Sequence, residues 1–297
     1  MPSTVQRLTE LELVRPPSFI GSNTMYETMM GSVAYGVSSD TSDMDIYGFC
    51  IPPKANIFPH LAGEIFGFGR QIQRFEQWQQ HHVFDKDALR GKNHMFDLSI
   101  YSIVKYFQLC MDNNPNMIDS LFTPQDCVLH ITKIGNMVRD ARRTFLHKGS
   151  WHKFKGYSYA QLHKMKSKNP EGKRRELVEK FGYDVKFGYH VMRLLDEAEQ
   201  IMVEADIDLR RNREQLKAIR RGDVPEADLV AMAAEKEKAL ERVYESSTLQ
   251  HSPDEPKIKE LLMQCLEEHY GSLNGVIVTD DRYANAIRAI KEITEKF

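Results

Sequence analysis

Two aspartates separated by one residue, inside an apolar strand pattern, constrain this chain more than any other feature. The segment Asp43-Met44-Asp45 continues as IYGFCIPP, which alternates apolar and polar residues and stops at Pro52-Pro53, as a β-strand does. Side chains two apart in a strand leave the same face, so the spacing predicts that Asp43 and Asp45 lie side by side. Two neighbouring carboxylates repel each other unless a cation neutralises them.

A Gly-Ser pair precedes these aspartates and supplies a second half of the pattern. The run YETMMGS reads as a strand leading into a turn at Gly31-Ser32. Such a turn at a helix start presents backbone N–H groups and a hydroxyl to a phosphate. Carboxylate oxygens suit Mg²⁺, and two such ions roughly 3.5–4 Å apart hold the attacking and leaving oxygens of an in-line displacement. Together the two halves predict a phosphoryl-transfer site.

The rest of the chain divides into an α/β part and a helical part. The run FDLSIYSIV reads as a further strand, and residues 54–93 read as an irregular insert, a loop or a small hairpin. From about residue 116 the spacing of apolar residues is helical, and the run DRYANAIRAIKEITEKF predicts a final helix. We therefore expect a catalytic domain over residues 1–135 and a helical domain over residues 136–297.

Charge is spread unevenly along the chain, whose formal net charge is only −2. Residues 133–193 hold 16 Lys/Arg and 5 Asp/Glu, whereas the remainder holds 24 and 37. This basic segment predicts contact with a polyanion, although a solvated lysine-rich helical surface gives the same composition. The four cysteines are scattered, and no segment has the apolar length of a membrane span or a signal peptide, so we expect a cytoplasmic protein without membrane contact.

The fuller string GSVAYGVSSDTSDMDIYGFCIPP resembles the polymerase-β-like nucleotidyltransferase superfamily, whose signature is Gly-Ser followed by D-x-D in an apolar strand. Within it the string is similar to a branch of predicted nucleotidyltransferases with the pattern G-S-x-A-Y-G…S-D-x-D-x-x-G, often associated with RNA repair. The likeness covers about residues 26–205. It implies an α+β fold, in which a small mixed sheet with flanking helices is followed by an all-α domain.

The resemblance also implies a set of site residues. Asp97 opens the next strand-like run and would be the third carboxylate, so that Asp43, Asp45 and Asp97 would bind two Mg²⁺ ions, with Mn²⁺ as a substitute. Ser32, with Gly31, would contact the terminal phosphates of the nucleotide. Asp97 would bind the ion that activates the acceptor hydroxyl and act as its base. The alternative for Asp97 is a helix cap or a surface residue.

Two other groups in the irregular insert are weaker candidates. Asp85 and Asp87 form a rival D-x-D, but no Gly-Ser pair precedes them. His81 and His82 are adjacent, and adjacent side chains point in different directions in regular structure, so they make a poor metal clamp.

One predicted helix face in the basic segment carries cations. Lys186, His190 and Arg193 recur at spacings of three or four with Tyr183 and Glu197, and we predict that these three contact nucleotide phosphates. The alternative is a solvated face that ends in an ion-pair ladder at Glu197. The stretch from Lys153 to Lys164 interleaves aromatic and basic residues, which suits unpaired RNA but is also typical of an amphipathic helix.

These features predict an enzyme that moves a nucleoside monophosphate from an NTP, ATP among them, to a hydroxyl and releases pyrophosphate. The acceptor we favour is an RNA 3′ end, bound through residues 133–193. One alternative is AMP transfer to a protein hydroxyl. Another is a regulatory module that binds nucleotide without turnover, against which the presence of all three predicted ligands counts.

Overall fold

Strands occupy only the first half of the part of the chain that this computed structural model describes, namely residues 2–38, 43–58, 73–86, 94–167 and 171–271. The strands are β1 (Thr24–Met29), β2 (Met44–Cys50), β3 (Gln77–Asp85), β4 (His94–Ser102) and β5 (Val128–Ile131). The helices are α1 (Thr4–Glu10), α2 (Ile20–Asn23), α3 (Gly31–Ala34), α4 (Lys54–Ile57), α5 (Ile103–Met111), α6 (Pro115–Phe122), α7 (Lys133–Asp140), α8 (Gly149–Ser167), α9 (Lys173–Phe181), α10 (Val185–Glu204), α11 (Arg213–Arg221), α12 (Glu226–Ser246) and α13 (Glu255–Tyr270).

The five strands form one mixed sheet with the order β3-β4-β2-β1-β5. The central pair β2–β4 is parallel, and the pairs β1–β2, β1–β5 and β3–β4 are antiparallel. Helices surround this sheet and continue alone from α7 onward. The predicted α+β fold, a small mixed sheet followed by helices, is therefore confirmed.

The two faces of β2 have different environments because side chains alternate along a strand. Met44 and Ile46 are buried in a core cluster with Val5 and Leu8 of α1. Asp45 leaves the opposite face and is half-buried. Burial of one face thus fixes the register of β2 and with it the direction of the Asp45 side chain.

Helix α10 is the central helix of the helical half. Fifteen of its 20 residues are buried, as expected of a helix that other helices enclose, and it packs against α8, α11 and α12. The carboxylate of Asp184 caps its start by accepting the N–H groups of Lys186 and Phe187.

The insert differs from the sequence expectation of a loop or small hairpin. Residues Gln77–Asp85 form a nine-residue edge strand paired with β4. Its sequence, QWQQHHVFD, lacks clean alternation because much of the strand is exposed and a bulge interrupts its register after Gln80. Residues 59–72 and 87–93, including the predicted candidate Asp87, lie outside the described residues.

The boundary expected at residue 135 falls inside α7, and one core cluster contains residues from both sides of it, from Met25 to Leu266. The division into two domains stays a prediction. The predicted final helix also lies outside the described residues. Among the helices that the structure does describe, none has the length and apolarity needed to cross a lipid bilayer.

Candidate active site

The sheet brings Asp45 and Asp97 directly opposite each other. Asp45 on β2 and Asp97 on β4 are register partners in the parallel pair, so both side chains leave the same face of the sheet. Burial raises the pKa of Asp45, the negative charges of Asp97 and Asp43 raise this pKa further, and the ammonium of Lys186 lowers it. Sequence reasoning thus paired the correct strands, and the structure supplies the register that makes the carboxylates neighbours.

Asp43 lies just before β2 rather than inside it. The strand begins at Met44, and the Asp43 side chain is exposed. Its charge still acts on Asp45. The expectation that Asp43 and Asp45 leave one face of the same strand was therefore wrong, because Asp43 lies outside β2. The two carboxylates still interact electrostatically.

The turn at Gly31 packs against the Asp45 carboxylate. Gly31 has a φ of +61°, and a Cβ atom built on it would lie 2.3 Å from Asp45 Oδ2. The N–H of Met30 donates to the main-chain oxygen of Asp45 at 2.7 Å. Only glycine meets both requirements, a left-handed backbone and room for the carboxylate. Ser32 follows on α3 and is half-buried, so the Gly-Ser turn begins beside the Asp45 carboxylate.

The carboxylates fit a divalent cation in their chemistry. Within the described residues no group of three or more His, Cys, Asp or Glu is close enough to hold a metal ion. Mg²⁺, however, usually takes only one or two protein carboxylates and completes its shell with water and substrate phosphates. Asp45 and Asp97 meet that requirement, and their mutual repulsion is what a cation between them would relieve.

Cations gather on the side of the site formed by α10. His190 is half-buried, and its ring lies against that of Tyr189, with ring centroids 4.1 Å apart. Burial lowers the pKa of His190 well below its usual range. The positive charges of nearby basic side chains add to this effect; they belong to Arg193, Lys186, Arg174 and Arg220. The imidazole is therefore neutral at pH 7, and basic side chains from α9, α10 and α11 lie around it.

Two members of this cluster, Arg174 and Arg220, were missed by sequence reasoning. Arg174 pairs with Asp184 at 2.8 Å at the start of α10, and Arg220 donates to the main-chain oxygen of Val37 at 2.6 Å. They come from α9 and α11, so no spacing within a single helix reveals them. Lys186 and His190 were predicted, and the structure places them within electrostatic reach of each other.

Arg193, the third predicted nucleotide contact on this helix, lies deeper. Its side chain is 5% exposed and forms ion pairs with Asp119 and with Glu197, the latter at 3.0 Å. The guanidinium also stacks over the ring of Tyr35, which donates its hydroxyl to Asp119 at 2.8 Å. Arg193 therefore ties α10 to the turn that follows Ser32, and its direct contact with nucleotide stays a prediction.

The rival pair in the insert has a structural role where it is described. Asp85 is buried and pairs with Arg7 of α1 at 2.7 Å. His81 and His82 lie beside Asp97 instead: the N–H of His82 donates to Asp97 Oδ1 at 2.8 Å. Sequence reasoning disfavours these histidines because it assumes regular structure, and a bulge breaks that assumption.

Much of the charge of the basic segment is paired inside the molecule. Acidic residues outside the segment supply partners in the pairs Lys133–Glu268, Arg143–Asp206, Lys155–Glu237 and Lys155–Glu241. Lys153, Lys164 and Lys186 are exposed. The excess positive charge of residues 133–193 is thus partly neutralised by ion pairs in the folded protein. The exposed lysines of this segment remain accessible to a polyanion.

Comparison with known proteins identifies a family for this chain. The model of the family described as RlaP, the RNA repair pathway DNA polymerase beta family, matches residues 5–264. One matching solved structure is a nucleotidyltransferase-like protein from Exiguobacterium sibiricum, with 11% identity, covering 89% of this chain and 73% of that chain at a TM-score of 0.28; so low a score says nothing about the site. No curated protein matches.

The family match spans both the sheet that carries Asp45 and Asp97 and the helix that carries Lys186 and His190. The paired carboxylates, the Gly-Ser turn and the family model agree on one chemistry. The chain belongs to the RNA repair pathway DNA polymerase beta family and is a polymerase β-like nucleotidyltransferase.

Proposed function

We propose that this nucleotidyltransferase moves a nucleoside monophosphate from an NTP to the terminal 3′ hydroxyl of an RNA and releases pyrophosphate. The observation that carries the proposal is the contact of Gly31 with the Asp45 carboxylate, which itself lies opposite Asp97. A phosphate cradle and paired carboxylates in contact are the two parts that this reaction needs.

Asp43, Asp45 and Asp97 would hold two Mg²⁺ ions, or Mn²⁺ in their place. When bound, the ions would neutralise charge on the attacking and leaving oxygens. Asp45 is half-buried and interacts electrostatically with both Asp97 and Asp43. It is therefore the residue we expect to be shared by both ions.

The triphosphate would lie between the Gly-Ser turn and α10. Ser32 would donate its hydroxyl to a terminal phosphate, and Lys186 and His190 would face the chain of phosphates from the helix. The support for this is electrostatic: the positive charge of Lys186 lowers the pKa values of both Asp45 and His190. Lys186 is therefore near enough to interact with the aspartates and with the basic side chains around His190. Arg174 and Arg220 would add to the same positive field.

In the transfer step the acceptor oxygen would form a bond to the α-phosphorus while the bond from that phosphorus to the bridging oxygen breaks. The electron pair of the broken bond leaves with pyrophosphate. The proton of the acceptor hydroxyl would pass to Asp97. One oxygen of Asp97, Oδ1, already accepts the N–H of His82, which holds the carboxylate in place and leaves Oδ2 for the acceptor.

A transfer assay tests this proposal. The protein is incubated with each of four NTPs labelled at the α-phosphate, with Mg²⁺, and with or without RNA, and the products are separated. We expect label on the RNA 3′ end, dependent on Mg²⁺ and absent for Asp45→Asn. Label on the protein itself would instead favour nucleotidyl transfer to a protein hydroxyl, and no transfer by any NTP would support a binding module without turnover.

The phosphate side is tested separately by binding. Inorganic triphosphate should raise the melting temperature of the wild type and do so much less for Lys186→Ala. Lys238→Ala, which removes an exposed lysine from α12, is the matched control and should respond as the wild type does. An equal response of both variants would remove Lys186 from the proposed site.

A further inference from the structure

A β-bulge on the edge strand places two histidines against Asp97. In the β3–β4 pair the register moves from Gln80 opposite Leu98 to Val83 opposite Phe96, so His81 and His82 together oppose the single residue Asp97. His82 has a φ of +57°, a conformation uncommon for residues other than glycine. Bulges of this kind re-aim side chains and recur beside active sites.

Both imidazoles lie close to the same carboxylate oxygen and remain open to solvent. The distances to Asp97 Oδ1 are 3.6 Å from His81 Nδ1 and 3.9 Å from His82 Nδ1. The side chains are 54% and 77% exposed, so packing does not account for them. Their ring N–H groups are available to a ligand that reaches Asp97.

An exposed aromatic residue shares this face of the sheet. Phe84 is 46% exposed and is the register partner of Met95, which is two residues from Asp97 on β4. Phe84, Met95 and Asp97 therefore project from one face, and Phe84 lies on the neighbouring strand, displaced from Asp97 by about 7 Å along the strand direction. The neighbouring Val83 is buried on the other face, so Phe84 contributes little to the core.

The strand order puts these residues on the side of Asp97 that faces away from the Gly-Ser turn. The order β3-β4-β2-β1 runs from the histidines through Asp97 and Asp45 to the Gly-Ser turn that follows β1. In an in-line displacement the attacking and leaving oxygens lie on opposite sides of the phosphorus. With the leaving pyrophosphate on the side of Gly31, the acceptor approaches from the side of β3.

We propose that His81, His82 and Phe84, here called the acceptor patch, bind the last nucleotide of a single-stranded RNA 3′ end. The Phe84 ring stacks on the terminal base, and the two imidazoles donate hydrogen bonds to ribose or phosphate oxygens beside the reacting hydroxyl. Stacking on an aromatic ring is sequence-tolerant because every base has a π face. This inference rests on the proposed function and names how the acceptor is recognised.

The test measures RNA binding without turnover. A single-stranded RNA labelled with a dye at its 5′ end is titrated with protein in EDTA and followed by fluorescence anisotropy. Base–aromatic stacking is worth a factor of roughly 5 to 150 in affinity, so Phe84→Ala should raise Kd by about that factor and Phe84→Trp should retain binding. His81→Gln/His82→Gln should raise Kd by a smaller factor. The melting temperature of each variant checks folding.

Two controls make the result specific. Leu11→Ala removes another exposed apolar side chain, which is 51% exposed at the end of α1, and should leave Kd unchanged. A circular RNA of the same sequence has no 3′ end, so wild type and Phe84→Ala should bind it equally. Equal Kd values for wild type and Phe84→Ala on the linear RNA, or equal losses for Phe84→Ala and Leu11→Ala, would overturn the acceptor patch.

This outcome is separable from the proposed function. Asp45→Asn should abolish transfer without weakening the binding of linear RNA, because Asp45 is not part of the patch. If Phe84→Ala bound RNA normally while the wild type still transferred label from NTP, nucleotidyl transfer would stand and the acceptor patch alone would fall.

Discussion

Asp45 and Asp97 lie as register partners on neighbouring strands, and the fold keeps them there at a cost in stability. Like charges directly opposite each other in a sheet destabilise it by roughly 0.2–1 kcal/mol. Burial already raises the pKa of Asp45. A carboxyl whose pKa is raised by folding stabilises the fold only while it is protonated, so this contribution is lost as the pH rises through the folded pKa.

Replacing Asp45 with asparagine should therefore stabilise the metal-free protein while it abolishes transfer. In EDTA at pH 7 we expect Asp45→Asn to raise the melting temperature by up to about 3 °C, and this difference should vanish on acidification as Asp45 of the wild type becomes protonated. Mn²⁺ should raise the melting temperature of the wild type more than that of the variant. A variant that melts lower than the wild type in EDTA would contradict the repulsion.

Gly31 offers a second test at the scale of one atom. A methyl group there would meet Asp45 Oδ2 and would need a left-handed backbone, so Gly31→Ala should lose transfer and about 1–2 kcal/mol of unfolding free energy. A methyl group added at Gly156 on α8 would meet none of the described residues within 4 Å, and Gly156→Ala should stabilise the helix by up to about 1 kcal/mol. Equal effects in denaturant titrations would refute the close contact.

At this scale the sequence predicts residue types better than positions. Gly31, Ser32, Asp45 and Asp97 can be found because a motif fixes their chemistry. The positions of His81 and His82 could not be predicted from the sequence. The two-residue period of a regular strand puts adjacent side chains on opposite faces, whereas a bulge places both beside one residue of the partner strand. An extra residue in a strand produces no recognisable pattern of apolar and polar residues. Only the structure therefore places both imidazole rings beside Asp97.

At the scale of elements, α10 serves two roles along its length. Its first turns carry Lys186 and His190 toward the site, and its middle carries the buried Arg193 among Asp119 and Glu197. Helical spacing places Lys186, His190 and Arg193 on one face, which is correct for an isolated helix. The spacing does not reveal where a neighbouring element, here α6 with Asp119, covers that face.

Loss of Arg193 should lower the free energy of unfolding of the protein and should not affect nucleotide binding alone. Arg193→Met would leave the buried Asp119 and Glu197 without their partner, which costs roughly 3–5 kcal/mol. Arg175→Met removes an exposed pair with Glu179 and should cost under about 1 kcal/mol. Urea titration measures both. If the Arg193→Met protein had normal stability and a raised Kd for NTP, the predicted direct contact of Arg193 with the nucleotide would be supported.

At the scale of the whole molecule, one core connects the sheet to the helices. Among the described residues, the larger of two clusters of buried side chains runs from Met25 on β1 to Leu266 on α13. Arg220 of α11 donates a hydrogen bond to the main-chain oxygen of Val37. The spacing of apolar residues suggests an α/β part and a helical part, which is true of the secondary structure. Contacts between distant segments decide whether these parts unfold together, and local spacing does not encode them.

We expect thermal unfolding to be a single cooperative transition. Calorimetry and near-ultraviolet circular dichroism should give the same midpoint, because the common core joins both parts. Two separated transitions would instead support independent domains divided near residue 135.

The central claim is that Asp45 and Asp97 gather divalent cations beside the Gly-Ser turn. The most direct measurement is a crystal structure with Mn²⁺ and a non-hydrolysable NTP analogue, in which anomalous scattering locates the metal. We predict anomalous peaks within bonding distance of Asp45 and Asp97, with the triphosphate between Ser32 and Lys186. Mn²⁺ and triphosphate bound elsewhere, with these carboxylates free of metal, would contradict the account.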